Sequence, residues 1–288
     1  MQGVIIKGIA GFYYVKTKDT VFQCKARGVF KKDGVIPLVG DMVEIETSDR
    51  GSAVINAIGK RENEFKRPQI ANVDCFVVVI AASKPEPNFS VIDRFLVTAE
   101  NNGAKAVICV NKIDIAEKSK IQNIKKIYEN VYPIVCVSAL SGYGVDELIK
   151  LMRNGKYALA GPSGVGKSTL LNAIKPEASA EIGEISRKTS RGKHTTRHAE
   201  IFEIASGALI YDTPGFTSFD VIDIDSDELQ HLYPEIAALY GKCKFRNCMH
   251  IKEAGCAVIP AVTAGEMHGL RYASYKEIFE EITANREF

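Results

Sequence analysis

Over the first sixty residues, apolar and polar positions alternate with a period near two. GVIIKGIAGFYYVKT, TVFQCKARGVF, LVGDMVEIET and SAVINAIGK each interleave β-branched or aromatic residues with polar ones, as half-buried strands do. Gly11, Gly28, Gly34, Gly40 and Gly51 fall where the chain must turn or bend. Four or five strands in so short a stretch predict a small barrel, of the OB or the SH3 kind. RENEFKRPQ (61–69) is charged and contains Pro68, which reads as a linker.

The pattern then changes. VDCFVVVIA (73–81), AVICV (106–110), PIVCV (133–137) and YALA (157–160) are unbroken apolar runs, which suit parallel strands buried on both faces. Helical periodicity fills the gaps: Val91 to Asn101 with Ser90 as cap, Lys118 to Glu129, and Val145 to Met152. Strands alternating with helices predict a doubly wound α/β sheet. HAEIFEIASGALIYD (198–212) reads as an antiparallel hairpin around a Ser-Gly turn. From Ser226 the pattern is helical, with Pro234 opening a second helix. Tyr275, Ile278, Phe279 and Ile282 form a stripe in a last helix over Ser274–Asn285, which we read as core packing.

Composition narrows the class. The chain has 288 residues, 46% hydrophobic and 25% charged, which fits two or three globular domains and excludes extensive disorder. No run approaches the about 18 apolar residues of a membrane span. The N-terminus lacks the charged n-region and cleavage site of a signal peptide. A net charge of +2 does not by itself argue for a nucleic-acid partner, but residues 1–70 hold twelve Lys/Arg against eight Asp/Glu. Seven cysteines, four of them scattered through apolar runs, point to a reducing compartment, hence the cytoplasm.

The strongest chemical signal is Gly161-Pro162-Ser163-Gly164-Val165-Gly166-Lys167-Ser168-Thr169, which fits G-x-x-x-x-G-K-[ST] between a strand and a helix. The glycines let backbone N–H groups wrap phosphates. Lys167 is expected to reach the β- and γ-phosphates, and the Ser168 hydroxyl to bind Mg²⁺. Asn111-Lys112-Ile113-Asp114 follows a buried strand and selects the base. The Asp114 carboxylate offers acceptors to the N1–H and N2 amino group of guanine, which adenine cannot match. Ser138-Ala139-Leu140 fits the short loop that offers an N–H to the guanine O6.

Asp212-Thr-Pro-Gly215 ends the hairpin; Asp212 suits Mg²⁺ through a water, and the Gly215 N–H suits the γ-phosphate. Arg191-Gly-Lys-His-Thr-Thr196 lies where a switch loop belongs, with Thr196 favoured over Thr195 as the magnesium ligand. Phe216 stands where many GTPases carry a water-orienting glutamine. Slow intrinsic hydrolysis follows, with the water oriented by another residue or by a partner; His194 is the candidate residue, and the plainer alternative for it is a solvated or RNA-contacting histidine.

Cys243, Cys248, His250 and Cys256 supply three thiolates and an imidazole in one short loop, the donor count of a closed structural Zn²⁺ site. Lys242, Lys244, Arg246 and Lys252 interleave with them. With the cationic barrel and Arg187, Lys188, Arg191, Lys193 and Arg197, they form three basic patches suited to phosphate, or else ordinary solvated charge.

These are GTPase motifs in a permuted order, with N-K-x-D and S-A ahead of the P-loop. Circular permutation is cheap where original termini lie close together. The segment after Gly215 then feeds directly into the C-terminal region, so a γ-phosphate-dependent switch would pull on it.

On VGDMVE, NKID, GPSGVGKST, RGKHTT, DTPGF and the Cys/Cys/His/Cys set, essentially the whole chain resembles the bacterial ribosome small-subunit-dependent GTPase A family. The resemblance implies an OB-fold barrel over 1–63, a circularly permuted GTPase domain over 64–220 and a helical zinc-binding module over 221–288. It also implies that the partner is the small ribosomal subunit with its rRNA, bound late in maturation near the decoding region. GTP hydrolysis to GDP would be stimulated by the subunit and coupled to release of the protein and displacement of other assembly factors. A monomer without membrane attachment is expected. Two other readings of the residues are an RNA-binding module gated by GTP, with incidental hydrolysis, and a GTPase acting on a protein effector.

Overall fold

Why the alternating segments close into a barrel is visible in which side chains they bury. The structure is a computed structural model that describes every residue except 33, 48–52, 176–198, 217–223 and 286–288. Five strands, β1 (Gln2–Ile9), β2 (Phe12–Lys16), β3 (Val21–Ala26), β4 (Met42–Thr47) and β5 (Ala53–Ile58), pair in the order β1-β2-β3-β5-β4, and β4 pairs back onto β1. Ile5, Val15, Cys24, Val43, Ile45 and Ile55 fill the interior. The first predicted strand splits in two at Ala10–Gly11, both with positive φ. A short helix α1 (Gly28–Lys32) replaces the predicted strand end at GVF. The barrel is closed and five-stranded, of the OB kind.

The VGDMVE turn is built around a buried charge. Asp41 is fully buried; its carboxylate accepts two hydrogen bonds from Arg61, each at 2.8 Å, and one from the Leu38 N–H at 2.7 Å. Beside it, Gly40 has φ 99°, and a Cβ there would lie 2.0 Å from the Ala71 carbonyl oxygen. Only glycine fits.

Residues 61–69 are not a linker. They contribute to a hairpin, β6 (Glu64–Lys66) and β7 (Gln69–Ala71). Phe65 and Ile70 face each other across it and are buried; in the sequence the charges around Phe65 hid the strand. Arg61 also pairs with Glu64 at 2.6 Å.

The chain forms two compact units. The first comprises Met1–Cys75, Ile149–Leu159 and Leu171–Phe216. Beyond the barrel and the β6–β7 hairpin it contains most of β11 (Lys156–Ala160) and the predicted hairpin, β12 (Glu200–Glu203) and β13 (Leu209–Phe216). Strand β12 pairs with barrel strand β1 at Lys7 and Glu200, whose side chains also form an ion pair at 2.9 Å.

The second unit comprises Phe76–Leu148, Ala160–Leu170 and Thr217–Phe288. Strand β8 (Cys75–Ala81) is buried along its whole length, as its unbroken apolar run demands. It neighbours β9 (Lys105–Asn111), which pairs in parallel with β10 (Ile134–Cys136). Helices α2 (Phe89–Asn101) and α3 (Lys118–Tyr128) lie between these strands in sequence, and α4 (Val145–Leu151) follows β10. Helix α2 is capped by Asn88, whose side chain accepts from the Val91 N–H at 3.2 Å; Ser90 lies inside the first turn instead. Both residues are good caps, and a two-residue shift of the helix start decides between them.

After α5 (Lys167–Ile174), the C-terminal region of this unit holds a 3-10 turn (Leu229–Leu232), α6 (Pro234–Ala237), α7 (Val258–Ala264) and α8 (Gly269–Ala284). Helix α8 begins five residues before the predicted start, with the His268 ring nitrogen accepting from the Leu270 N–H. Tyr275, Ile278 and Ile282 are fully buried, and Phe279 packs partly buried against them.

Candidate functional site: a nucleotide cradle and a Cys3His cluster

The P-loop owes its path to three glycines in conformations closed to other residues. Gly161 has φ 136°, and a Cβ there would meet the Val79 carbonyl oxygen at 2.4 Å. Gly164 has φ 78° and Gly166 φ 98°; a Cβ on Gly166 would lie 2.4 Å from the Asn111 side-chain nitrogen. Buried Val165 anchors the middle of the loop, while Ser163 is exposed and Pro162 half-buried. Helix α5 starts at Lys167, so Ser168 and Thr169 stand exposed in its first turn. The first N–H groups of a helix have no intrahelical acceptor, which makes this an anion cradle. The Lys167 ammonium donates to the Gly161 and Pro162 carbonyls at 2.7 and 2.9 Å. Burial pulls its pKa down to about 8.

Asn111 ends β9 and is buried. Its side-chain N–H donates to the Val165 carbonyl at 2.9 Å, and its side-chain oxygen accepts from the Ala139 N–H at 3.0 Å. Lys112 takes a left-handed conformation (φ 63°), and its ammonium bridges the Lys84 and Gly164 carbonyls at 2.6 and 2.7 Å. The turn Ile113–Ile115 follows, with Asp114 exposed. Ser138 is buried, and its hydroxyl accepts from the Ser141 N–H at 3.3 Å. Ala139 is buried and Leu140 is 83% exposed. Three segments far apart in sequence thus meet on one side chain, that of Asn111. The result pairs an anion cradle with an exposed carboxylate able to read a purine edge.

Asp212 lies in β13, and its carboxylate pairs with Lys175 at 2.6 Å. The Lys175 ammonium also sits 5.0 Å from the Phe202 ring centroid. No motif marks Lys175 in the sequence; it simply follows the end of α5. Gly215 belongs to the same strand as Asp212, and Phe216 ends it. Phe216 is buried, packed edge-to-face on Phe65 with centroids 5.6 Å apart, so the ring serves the core and cannot orient water. His194, Thr195 and Thr196 lie outside the described residues, as do Arg187, Lys188, Arg191, Lys193 and Arg197.

Cys243, Cys248, His250 and Cys256 converge as expected, with donor atoms all within 4.8 Å of one another. Each of the three sulfurs lies 3.5 Å from His250 Nδ1. Tetrahedral zinc, with Zn–S near 2.3 Å and Zn–N near 2.0 Å, separates sulfur from nitrogen by about 3.5 Å. The donor set therefore fits a closed four-coordinate metal. His250 Nε2 contacts the Gln230 side-chain oxygen at 3.1 Å, which fixes the ring with Nδ1 facing the sulfurs. The Ala257 N–H donates to Cys243 Sγ at 3.2 Å. Glu253 ties the loop from within by accepting from the N–H groups of Met249, Ile251 and Lys252. Burial would raise its pKa, but these backbone donors outweigh it and hold the carboxyl below the usual range. Gln230 and Glu253 carry no sequence signal for these roles, because each is an ordinary polar residue made specific by its neighbours.

An N-K-x-D turn ahead of the P-loop in the chain, with Asn111 bonded to the loop, defines a circularly permuted P-loop GTPase. The RsgA GTPase family model matches residues 58–222, and the RsgA N-terminal domain model matches residues 2–55. The small ribosomal subunit biogenesis GTPase RsgA of Clostridium kluyveri is 42% identical over 289 residues, covering 100% of both chains. That of Clostridium perfringens strain SM101 is 43% identical, covering 99% of each. The crystal structure of YjeQ from Thermotoga maritima superposes with a TM-score of 0.86 at 34% identity, covering 98% of both chains. YloQ, a circularly permuted GTPase, superposes at 0.84 with 37% identity, covering 99% of this chain and 95% of its own. The chain belongs to the RsgA GTPase family, and it hydrolyses GTP.

Proposed function

We propose that this GTPase acts in maturation of the small ribosomal subunit, as its relatives' names state for them, and that it binds the subunit through rRNA. The observation that carries the nucleotide half is the Asn111 bridge between the P-loop and the Ser138–Leu140 loop. In this reading Asp114 selects guanine, with Asn111, Lys112 and Ile113 shaping its turn and Ser138, Ala139 and Leu140 closing the base site. Gly161 through Thr169 wrap the phosphates, Lys167 reaches the β- and γ-oxygens, and the Gly215 N–H meets the γ-phosphate. Mg²⁺, when bound with GTP, neutralises charge that develops on the phosphates; Ser168, Thr196 and Asp212 are the residues that would hold it.

His194 is our candidate for orienting the attacking water, since Phe216 is committed to the core. Hydrolysis is then slow alone and stimulated by the subunit. The Cys3His cluster holds one structural zinc ion, and the surrounding cations meet rRNA phosphates. Domain boundaries fall near residues 63 and 220, and the protein works as a cytoplasmic monomer. Among the described residues no helix is long and apolar enough to cross a membrane.

Sedimentation with purified small and large subunits tests the partner. Binding to the small subunit alone, tighter with a non-hydrolysable GTP analogue than with GDP and weakening steeply with salt, is expected. Equal binding to both subunits, or binding insensitive to salt, would overturn the assignment. His194→Ala should abolish subunit-stimulated turnover while GTP affinity stays within about twofold; intact stimulation would remove His194 from the mechanism.

A further inference from the structure

The loop that gathers the four metal-binding side chains also turns two aromatic rings outward. Phe245 keeps 46% of its surface exposed and Tyr240 keeps 65%. Neither belongs to the apolar core beneath the loop, which is built on Cys248, Cys256, Val258, Tyr275 and their neighbours. Exposing two rings in so short a segment forfeits a large apolar burial, so a packing role does not account for them.

Their surroundings are cationic and held in place. Lys242, Lys244, Arg246 and Lys252 are all exposed, and the Lys244 ammonium lies 5.5 Å from the Phe245 ring centroid. The Lys244 N–H donates to the Gly255 carbonyl at 3.0 Å, and the Cys248 N–H to the Phe245 carbonyl at 3.3 Å. Gly255 has φ 79°, and a Cβ there would come within 2.8 Å of the Lys244 Cβ, so only glycine admits the lysine stem. Glu253, the nearest acid in sequence, spends its carboxylate on backbone N–H groups. The His231 ring lies against Tyr240, with centroids 4.9 Å apart and planes tilted by 56°.

We propose that Phe245 and Tyr240 are stacking platforms for unpaired bases of a single-stranded RNA segment, whose phosphates engage Lys242, Lys244, Arg246 and Lys252. This rests on the rRNA-binding reading above and names the chemical unit recognised. A flat exposed ring with a cation over one face can take a base on its other face and the phosphate beside the cation. A paired helix hides its base faces, so duplex RNA would use the cations alone. A protein partner would need acidic groups to meet four clustered cations, and the rings would gain nothing specific from them.

The chain contains no tryptophan, so Phe245→Trp installs a unique fluorophore at the platform. Full-length wild type, F245A, F245W and Y240A would be titrated with a 12-nucleotide single-stranded RNA, its duplex, and an abasic strand with the same phosphates. Metal content and melting temperature verify the fold of each variant. F245A is expected to weaken single-strand binding about 5- to 100-fold without changing its salt slope. F245W should restore binding, with its fluorescence quenched by the base-bearing strand and not by the abasic one. Equal binding of base-bearing and abasic strands by wild type would overturn the proposal, as would an F245A variant that binds like wild type. Loss of subunit binding by F245A with unchanged RNA affinity would assign the ring to a protein contact instead. If wild type failed to sediment with small subunits, the functional reading would fall while the oligonucleotide result still decided the stacking.

Discussion

Lys167 carries a testable pH signature. Burial lowers its pKa to about 8, whereas a neighbouring phosphate favours the ammonium and raises it in the complex. The complex therefore binds more protons than the free protein above pH 8. Affinity is fully present below that value and falls as pH rises through it toward the complex's higher pKa. GDP affinity measured from pH 7 to 9 should decline beyond pH 8 in wild type and stay flat in Lys167→Met, which binds weakly throughout. Asp114 makes the complementary case for the base. Asp114→Asn replaces an acceptor by a donor, so GTP affinity should fall about 100-fold, and xanthosine triphosphate should become the better ligand. Retained GTP preference in that variant would remove Asp114 from base recognition. The roles expected of these two residues come from motif chemistry, which is local. Lys175, by contrast, meets Asp212 across 37 residues, a pairing that no window of sequence displays.

At the scale of elements, the cradle depends on backbone that only glycine can adopt. Gly161→Ala would press a methyl group against the Val79 carbonyl, and Gly166→Ala would push aside the Asn111 amide. Each should cost about 1–3 kcal/mol. Urea unfolding should show the loss for both, and G166A should in addition lose nucleotide binding through the displaced Asn111. The metal loop is a second element with its own test. A chelator that strips the ion should lower the melting temperature and the near-ultraviolet signal of Tyr272 and Tyr275, which hold the His250 and Met249 carbonyls. Nucleotide affinity should survive, because among the described residues none of the cradle's hydrogen bonds passes through that loop. Unbroken apolar strands and the β12–β13 hairpin were plain in the sequence because period and length agree there. Residues 61–69 were misread because charge masked Phe65, and the α8 start was missed because His268 is an uncommon cap.

At the scale of the whole molecule, the second unit is tied together by a buried charge that looks like a surface residue in the sequence. Arg271 on α8 is 1% exposed; it donates to Asp93 on α2 at 2.7 Å and to Glu235 on α6 at 2.9 Å. The rings of Tyr128, Tyr132 and Tyr233 surround its guanidinium. Removing Asp93 leaves one edge of the buried Arg271 guanidinium unpaired, with Glu235 still opposing its charge, so Asp93→Ala should destabilise by about 3 kcal/mol. Chemical denaturation would show this, and a loss below about 1 kcal/mol would contradict the role given to the pair. Segments of the GTPase motifs and of the C-terminal module thus share one unit. The permuted motif order announced that continuity of chain; the arginine that fastens it was invisible, since burial depends on what packs around it.

A guanine-specific GTPase that answers to the small ribosomal subunit should be recognisable by its turnover. Phosphate release from GTP and from ATP, each with and without purified small subunits, tests it most directly. GTP alone should be turned over, slowly by the isolated protein and about tenfold or more faster with the subunit. Equal turnover of ATP, or GTP turnover that the subunit leaves unchanged, would contradict it.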